Sequence, residues 1–211
     1  MGEWEIRAEA AQDTSTGTNN QVLRHVCAER GVVYRGDTRP ISVLGSSSWR
    51  DTSVRLRFKL EDAQTQGFVV SLRMCNHAMP TWKDHDPNLS CRQKPDDRNQ
   101  VLPQATNVNG VYVVLKMDGA VQLANSTLGV DSAVTHANVA PLQLHRWYNL
   151  SVAMSNQRLS WSLVGSAGVP TAVSGTIEVP VASFPVQGQI GLGLVDYGTA
   201  SIDDLVVEDI E

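Results

Sequence analysis

The polar stretch from about residue 76 to 109 holds the side chains best suited to bind a ligand. It contains four prolines and shows neither a strand period nor a helical one. Trp82 offers an aromatic face, which can stack on the apolar face of a pyranose ring while nearby polar groups bind the hydroxyls. The polar candidates are His77, Asp84, His85 and Asp86. We therefore predict that any carbohydrate site in this chain lies in this stretch, with Trp82 as the stacking face.

Other roles are open for residues of the same stretch. The ring of Trp82 can instead pack against the rest of the domain and hold the stretch in place. A zinc site would use the ligand types found at Cys75, His77, His85 and Cys91, but their spacing matches no compact zinc-finger pattern. We favour a disulfide between Cys75 and Cys91, which flank a polar, proline-containing loop, and closing such a loop contributes about 3 kcal/mol in the chain-entropy description. Cys27 would then remain a thiol.

The carboxylates of the chain do not form a glycosidase centre. Glycoside hydrolysis needs two carboxyl groups that face the same bond. Asp96–Asp97 and Asp203–Asp204 are adjacent pairs, and neighbours on a strand point to opposite faces. The chain also has no Glu-x-Asp-x-x-Glu run and no recognisable nucleophile arrangement with a partner base. We expect that this chain alone is not an enzyme.

The elements that must position these residues are β-strands, because the dominant hydrophobic period is two. In residues 54–60 the apolar side chains alternate with Arg55, Arg57 and Lys59, as in a strand with one wet face. About eleven segments show such a pattern: 3–9, 21–27, 54–60, 67–74, 111–116, 120–124, 148–154, 159–163, 171–178, 189–195 and 202–208. Turn residues join them, notably at 116–119 and 155–157. The pattern predicts one all-β sandwich over residues 1–211, with an inserted loop at about 76–109.

Composition excludes several classes of partner. The net charge of −5 argues against nucleic acid, which requires a basic surface. No apolar run approaches the roughly 18 residues of a membrane span, so we expect no transmembrane segment. The chain shows no signal peptide and begins almost directly with a strand, and we interpret it as a fragment or a mature segment.

The strands and their connecting phrases resemble the C-terminal lectin-like domain of the galactocerebrosidase family. The most specific phrase is Arg39–Gly45, followed by Trp49. Other matching phrases are 2–6, 21–26, 110–112, 118–119, 147–148 and 202–208. The ending formed by residues 147–152, 188–194 and 201–208 is typical of a concanavalin A-like jelly-roll of two antiparallel sheets. The resemblance covers most of the chain outside the insertion.

The resemblance implies a non-catalytic lectin-like module of a galactocerebrosidase-like glycosidase. In that family the module packs on a catalytic barrel and helps to shape the cleft for a glycolipid or galactoside, so the parent protein is expected to be a glycoside hydrolase. Two alternatives are a free-standing carbohydrate-binding module and a laminin-G-like adhesion or structural domain. A basic concave face favours the free-standing module, whereas a large apolar outer patch favours docking on a catalytic domain.

A structural calcium ion is expected from two considerations that converge on Asp203. Asp203 has the same strand parity as Leu205 and Val207, so it should face the core, where an unpaired carboxylate is costly. Calcium would satisfy it with oxygen ligands, and the resembling family binds calcium in this domain with the acid that matches Asp203. Asn20 and Glu5 are candidate partner ligands. The alternative is that Asp203 accepts hydrogen bonds from a neighbouring turn.

Three glycosylation sequons suggest the secretory route. Their asparagines are Asn88, Asn125 and Asn149. Together with the expected disulfide, they predict a lysosomal or extracellular glycoprotein.

Overall fold

The computed structural model of the chain describes residues 3–9, 20–27, 41–75, 109–126, 134–165, 172–180, 184–195 and 198–210. Within these ranges the chain forms thirteen β-strands and no helix, and the all-β prediction is confirmed. The strands are β1 Glu3–Glu9, β2 Asn20–Cys27, β3 Ile41–Leu44, β4 Thr52–Leu60, β5 Gly67–Cys75, β6 Asn109–Lys116, β7 Ala120–Ser126, β8 Val134–Asn138, β9 Trp147–Ser155, β10 Arg158–Gly165, β11 Ala172–Glu178, β12 Gln189–Leu194 and β13 Gly198–Asp209. None of the described segments is a helix that could span a membrane.

The strands pair into two antiparallel sheets. The seven-stranded sheet has the order β1-β2-β13-β4-β9-β10-β11, and the six-stranded sheet has the order β3-β12-β5-β6-β7-β8. The neighbours of β4 are therefore β13 and β9, which lie far from it along the chain. This crossed order brings side chains from the middle and the end of the sequence onto one surface.

The main core lies between the two sheets. In β4 the apolar residues of the alternating pattern are buried and the intervening ones are more exposed. The Phe58 ring stacks on Phe68 of the opposite sheet at 4.6 Å between centroids, and on Tyr148 of its own sheet at 5.6 Å. The Tyr148 hydroxyl accepts a hydrogen bond from the Gln143 N–H at 2.8 Å. This stack joins both sheets, and aromatic pairs of this kind contribute beyond the area that they bury.

The predicted turns are confirmed, and two strands were missed. Gly119 has a φ of 91° in the β6–β7 turn, and Asn156 has a φ of 54° in the β9–β10 turn. The missed strands are β3 and β8, which have four and five residues. They are short and lie at sheet edges, and their burial does not alternate regularly. The period of two therefore gives no signal there.

The phrase that ends at Gly45 and Trp49 has a clear physical basis. Gly45 has a φ of 88°, and a Cβ built there would lie 2.0 Å from the Trp49 ring. The Trp49 carbonyl accepts a hydrogen bond from the Gly188 N–H at 2.9 Å, which fastens this turn to the start of β12. Glycine is needed at position 45 because it tolerates both the left-handed backbone and the close approach of the ring.

A buried arginine ties the β3–β4 connection to the β9–β10 turn. Arg73 lies at a β-bulge of β5 with a φ of 52°. Its guanidinium donates to the Arg50 carbonyl at 2.7 Å, to Asp51 Oδ1 at 3.0 Å and to the Asn156 carbonyl at 2.5 Å. Burial lowers the pKa of the Arg73 guanidinium, and the neighbouring Asp51 carboxylate opposes that shift. We interpret this cluster as structural, because its donors are directed at two backbone carbonyls and one carboxylate of the protein itself.

Candidate functional site

The seven-stranded sheet has a polar surface that faces away from the core, here called the outer face. The register of the paired strands arranges the side chains of this face in rows that cross the sheet. One row runs across the sheet through Asp203, Arg57, Asn149 and Val164. The next row runs through Val206, Arg55, Ser151 and Ser162. Residues of four strands thus form one continuous surface.

A shallow depression of about 250 Å³ lies on the outer face. Its polar lining consists of Arg55, Arg57, Asn149, Ser151, Ser162 and Asp204. The depression exists because long arginine side chains on β4 stand beside short serines on β9 and β10. The lining combines guanidinium donors, a carboxylate acceptor and groups that both donate and accept, which are the groups that bind hydroxyls.

Arg57 is held in place by two consecutive carboxylates of β13. Its Nη2 lies 2.5 Å from Asp203 Oδ2, and its Nε lies 3.0 Å from Asp204 Oδ2. The contact with Asp203 is a hydrogen bond, whereas the Arg57 Nε–H is not hydrogen-bonded within the described chain, so the contact with Asp204 is an ion pair only. Planar guanidinium groups suit such two-acid contacts because they present several donors in one plane.

A β-bulge explains how neighbouring acids reach one cation. The register of β13 against β4 shifts between Asp203 and Val206. Asp204 adopts a φ of 51° within the bulge, and its N–H donates to Asp203 Oδ1 at 2.9 Å. Aspartate tolerates this left-handed conformation better than most residues. The extra residue turns the Asp204 carboxylate toward the outer face beside Asp203.

The bulge also corrects the sequence-based placement of Asp203. Ile202 pairs with Phe58 and Val207 pairs with Val54, so six residues of β13 span five of β4. The prediction that Asp203, Leu205 and Val207 share the core-facing parity is wrong, because a bulge reverses parity within the strand. Asp203 lies on the outer face, and only 14% of its side chain is exposed.

The surroundings of Asp203 do not fit a calcium ligand. One carboxylate oxygen contacts the Arg57 guanidinium and the other accepts the Asp204 N–H. The guanidinium disfavours a second cation nearby. The described part of the chain contains no cluster of three or more His, Cys, Asp or Glu residues suited to a metal. A neighbouring turn and an arginine satisfy the acid, which is the alternative that the sequence left open.

The other two proposed ligands lie elsewhere on the sheet. Glu5 of β1 pairs with Arg24, and Arg24 pairs with Ser201 of β13. Strand β2 therefore separates Glu5 from β13: Glu5 lies about two strand spacings of 4.8 Å from Ser201, and Asp203 lies two residues further along β13. Asn20 begins β2 and pairs with Glu9. The backbone thus places the three residues on three strands, and the side chains of Glu5 and Asn20 lie outside the described part.

A second ionic cluster on the outer face is centred on Glu61. Its carboxylate contacts Arg24 Nε at 2.8 Å and Lys59 Nζ at 3.4 Å, and it accepts the Ser201 hydroxyl at 2.6 Å. Burial raises the pKa of Glu61, but the hydrogen bonds from Ser201 and Arg24 and the nearby positive charges outweigh that effect. The pKa of Glu61 therefore lies below its ordinary value. The cluster links β2, β13 and β4 next to the depression.

Trp147 lies at the edge of the same region. The Arg57 guanidinium carbon is 5.0 Å from the centroid of the Trp147 ring, and Lys59 Nζ is 4.9 Å from it. The ring thus contacts two cations of the outer face, an arrangement that is attractive because the ring face carries negative potential.

Most of the site residues predicted from the sequence lie outside the described residues. These are His77, Trp82, Asp84, His85, Asp86, Asn88 and Cys91. Cys75 ends β5, but its side chain is outside the described part, so the disulfide stays a prediction. Asn125 is exposed near the end of β7, and Asn149 is exposed in β9 within the depression.

Sequence reasoning missed the site on the outer face. The alternation of Arg55, Arg57 and Lys59 marks the wet face of β4. Nothing local indicates that Ser151 and Ser162 stand next to those cations, since three different strands contribute. The only available signal was the shared parity of charged and small polar residues on predicted strands.

Comparison with known proteins identifies the fold. Neither a protein-family model nor a curated protein matches the sequence. A protein of unknown function with a galectin-like fold from Bacillus subtilis superposes with a TM-score of 0.54 at 12% identity, over 99% of this chain and 88% of that one. The exoplasmic/lumenal domain of VIP36, in a Ca²⁺/Man3GlcNAc-bound form, gives 0.50 at 11% identity, over 100% and 84%.

The carbohydrate-binding module CBM66 from Bacillus subtilis also matches, with a TM-score of 0.44 at 16% identity over 97% of this chain and 94% of that one. The first two similarities establish a lectin-like jelly-roll sandwich, which confirms the predicted fold class. At these identities they show the fold alone. Membership of the galactocerebrosidase family stays a prediction from the sequence.

Proposed function

We propose that this chain is a carbohydrate-binding domain whose ligand lies in the depression on the outer face. The observation that carries the proposal is the polar lining of that depression, in which Arg57 is already fixed by Asp203 and Asp204. A preorganised site loses less conformational entropy when its ligand binds. The lectin-like fold supports the proposal, because the VIP36 domain with this fold was solved with Man3GlcNAc bound.

The expected affinity is low. The depression is shallow, and a single sugar ring buries little area while its hydroxyls must be stripped of water. A dissociation constant on the order of millimolar follows, equivalent to about 4 kcal/mol. Longer glycans that extend along the serines of β9 and β10 should bind more tightly than single rings.

A glycan array followed by titration of the best ligand tests this proposal. Ser162→Tyr places a ring in the depression and should abolish binding. Ser160→Tyr is the matched control, since Ser160 lies on the same strand and the same face but does not line the depression. Trp82→Ala tests the stretch that the sequence favoured.

Two outcomes separate the competing sites. Loss of binding in Ser162→Tyr alone, with Ser160→Tyr and Trp82→Ala unaffected, supports the outer face. Loss in Trp82→Ala with normal binding by Ser162→Tyr contradicts our proposal and favours the insertion. Circular dichroism and thermal unfolding of each variant check that the fold is retained.

A second candidate is the docking module of a galactocerebrosidase-like glycosidase. Exposed apolar side chains near the end of β13, at Leu205, Val206 and Ile210, favour a contact with another domain there. Most of the described outer face is polar and mixed in charge, so it offers no large apolar patch for docking there, although it is not the basic face expected of a free-standing module. The two forms are distinguished by the reading frame around this segment. A glycosidase barrel encoded beside it supports docking, and its absence contradicts it.

A further inference from the structure

The cations of the outer face are matched by carboxylates. Arg55 Nη2 lies 3.0 Å from Glu208 Oε1, and Arg57 contacts Asp203 and Asp204. Glu61 contacts both Lys59 and Arg24. Four cations therefore face four acids: Arg24, Arg55, Arg57 and Lys59 against Glu61, Asp203, Asp204 and Glu208. The region is close to neutral although its central strand carries three positive charges.

This pairing sets the class of ligand that the depression accepts. Asp204 is the most exposed of the four acids, at 68%, and it lines the depression. A ligand carboxylate would approach the Asp204 carboxylate and would have to displace an existing partner of Arg57. Repulsion between like charges and the loss of that contact both oppose binding of an anion.

A neutral hydroxyl meets no such opposition. It can donate to the Asp204 carboxylate and accept from the Arg55 guanidinium, because a hydroxyl both donates and accepts. Arg55 is the more exposed of the two arginines, since 57% of its side chain is exposed against 34% for Arg57, and its pair with Glu208 lies on the surface. Such exposed pairs are weak, so Arg55 can turn toward a ligand while Arg57 remains fixed.

We infer that the depression selects neutral sugar rings with adjacent hydroxyls and discriminates against uronic and other acidic sugars. This inference rests on the proposed carbohydrate-binding function and specifies its ligand class. It follows from the pairing of charges, because unpaired arginines on the same strand would instead favour a carboxylate.

Matched sugar pairs test the inference by NMR titration of the full chain. The pairs are methyl β-galactopyranoside with methyl β-galacturonide, and methyl β-glucopyranoside with methyl β-glucuronide, which differ in one carboxylate. We expect the neutral member of at least one pair to bind, and its uronide to bind at least about fivefold more weakly. The affinity for the neutral sugar should not change between about 0.02 M and 0.5 M salt, since no net charge is neutralised.

The variant Asp204→Asn tests the cause of the discrimination. Asparagine tolerates the left-handed backbone at this position, and the variant removes the exposed carboxylate. It should raise the affinity for the uronide about fivefold or more and make it sensitive to salt. Glu178→Gln is the control, because it changes the net charge equally on the same sheet but outside the depression.

The outcomes distinguish this inference from the proposed function. Tighter binding of the uronide by the unmodified chain, weakened by salt, overturns the inference and leaves the proposed function standing. An unchanged preference in Asp204→Asn also overturns it. Failure of both members of both pairs, and of every glycan on the array, overturns the proposed function and the inference with it.

Discussion

Arg57 organises the outer face at the scale of single residues. Asp203 and Asp204 fix its guanidinium, which in turn lies over the Trp147 ring. Its position in the middle of the β13-β4-β9 order places it between the acids of β13 and Asn149 of β9. A lysine there would keep the charge but not the planar arrangement of donors.

Asp203→Asn should destabilise the chain independently of calcium. The substitution weakens the contact with Arg57, so we expect the free energy of unfolding to fall by about 1 kcal/mol. Urea denaturation with added calcium and with a chelator measures this free energy, and the decrease caused by Asp203→Asn should be equal under both conditions. If calcium stabilises the unmodified chain but not Asp203→Asn, then Asp203 is a calcium ligand after all.

Asn149 lies in the depression, so its sequon and the proposed ligand site exclude each other. A glycan on Asn149 would fill the space between Arg57 and Val164. We expect peptide mapping of chain secreted by eukaryotic cells to find a glycan on Asn125 and none on Asn149 in the molecules that bind sugar. Binding by molecules that carry a glycan at Asn149 would contradict the proposed site.

At the scale of elements, β13 decides what the outer face displays. Before the bulge it contributes Ser201 to the Glu61 cluster, and after the bulge it contributes Val206 and Glu208 beside β4. A regular strand would have kept one parity and turned the Asp204 carboxylate away from Arg57. Bulges near functional sites commonly redirect a side chain in this way.

The Glu61 cluster predicts a loss of stability in acid. Because the folded-state pKa of Glu61 is lowered, its contribution is present above the ordinary value of 4.5 and is lost as pH falls through the lower folded-state value. Glu61→Gln should lower the free energy of unfolding at neutral pH by about 1–2 kcal/mol. At pH values below 4.5, the difference in the free energy of unfolding between Glu61→Gln and the unmodified chain should become smaller. A difference that stays constant down to strongly acidic pH would contradict this assignment.

At the scale of the whole molecule, the sandwich is held together by the core between its sheets. Phe58, Phe68 and Tyr148 form a continuous stack at its centre, and all three are fully buried. The outer face therefore rests on a rigid support. Polar side chains on regular strands are placed more reproducibly than those on loops, which suits a binding surface.

Phe58→Ala should destabilise both sheets together. Removing a fully buried aromatic ring leaves a cavity and costs about 3–5 kcal/mol. Val164→Ala is the control, since Val164 is 42% exposed on the same sheet and should change stability little. Chemical denaturation followed by tryptophan fluorescence and by circular dichroism should give coincident transitions. A loss below about 1 kcal/mol in Phe58→Ala would contradict the central role of the stack.

The insertion supplies one further test of the chain as a whole. With Cys75 and Cys91 joined, titration of thiols in denaturant should find one, from Cys27. Three thiols in chain produced under oxidising conditions would contradict the disulfide. Addition of a reductant should then lower the melting temperature, because opening the loop increases the entropy of the unfolded chain.

Much of the fold was predictable from the sequence, because a strand with one buried face alternates apolar and polar residues along the chain. The residues Val54 to Leu60 alternate in polarity and form β4, and the Asp118-Gly119 pair gives the β6–β7 turn. Short edge strands escaped prediction, since β8 shows no regular burial to impose a period. The candidate site was the hardest part to predict from the sequence, because its arginines, serines and aspartates form no recognisable motif.

The sequence by itself determined that this chain is an all-β sandwich with a polar face on β4. Only the tertiary structure decided that Arg57, Asn149 and Asp203 share one row of that face. A period of two states which side of a strand is wet, but it carries no information about which strands become neighbours. A single extra residue in the bulge then reversed the parity after Asp203. That reversal is set by pairing with β4. It explains why Asp203, which the sequence pattern predicts to face the core, lies on the outer face beside Arg57.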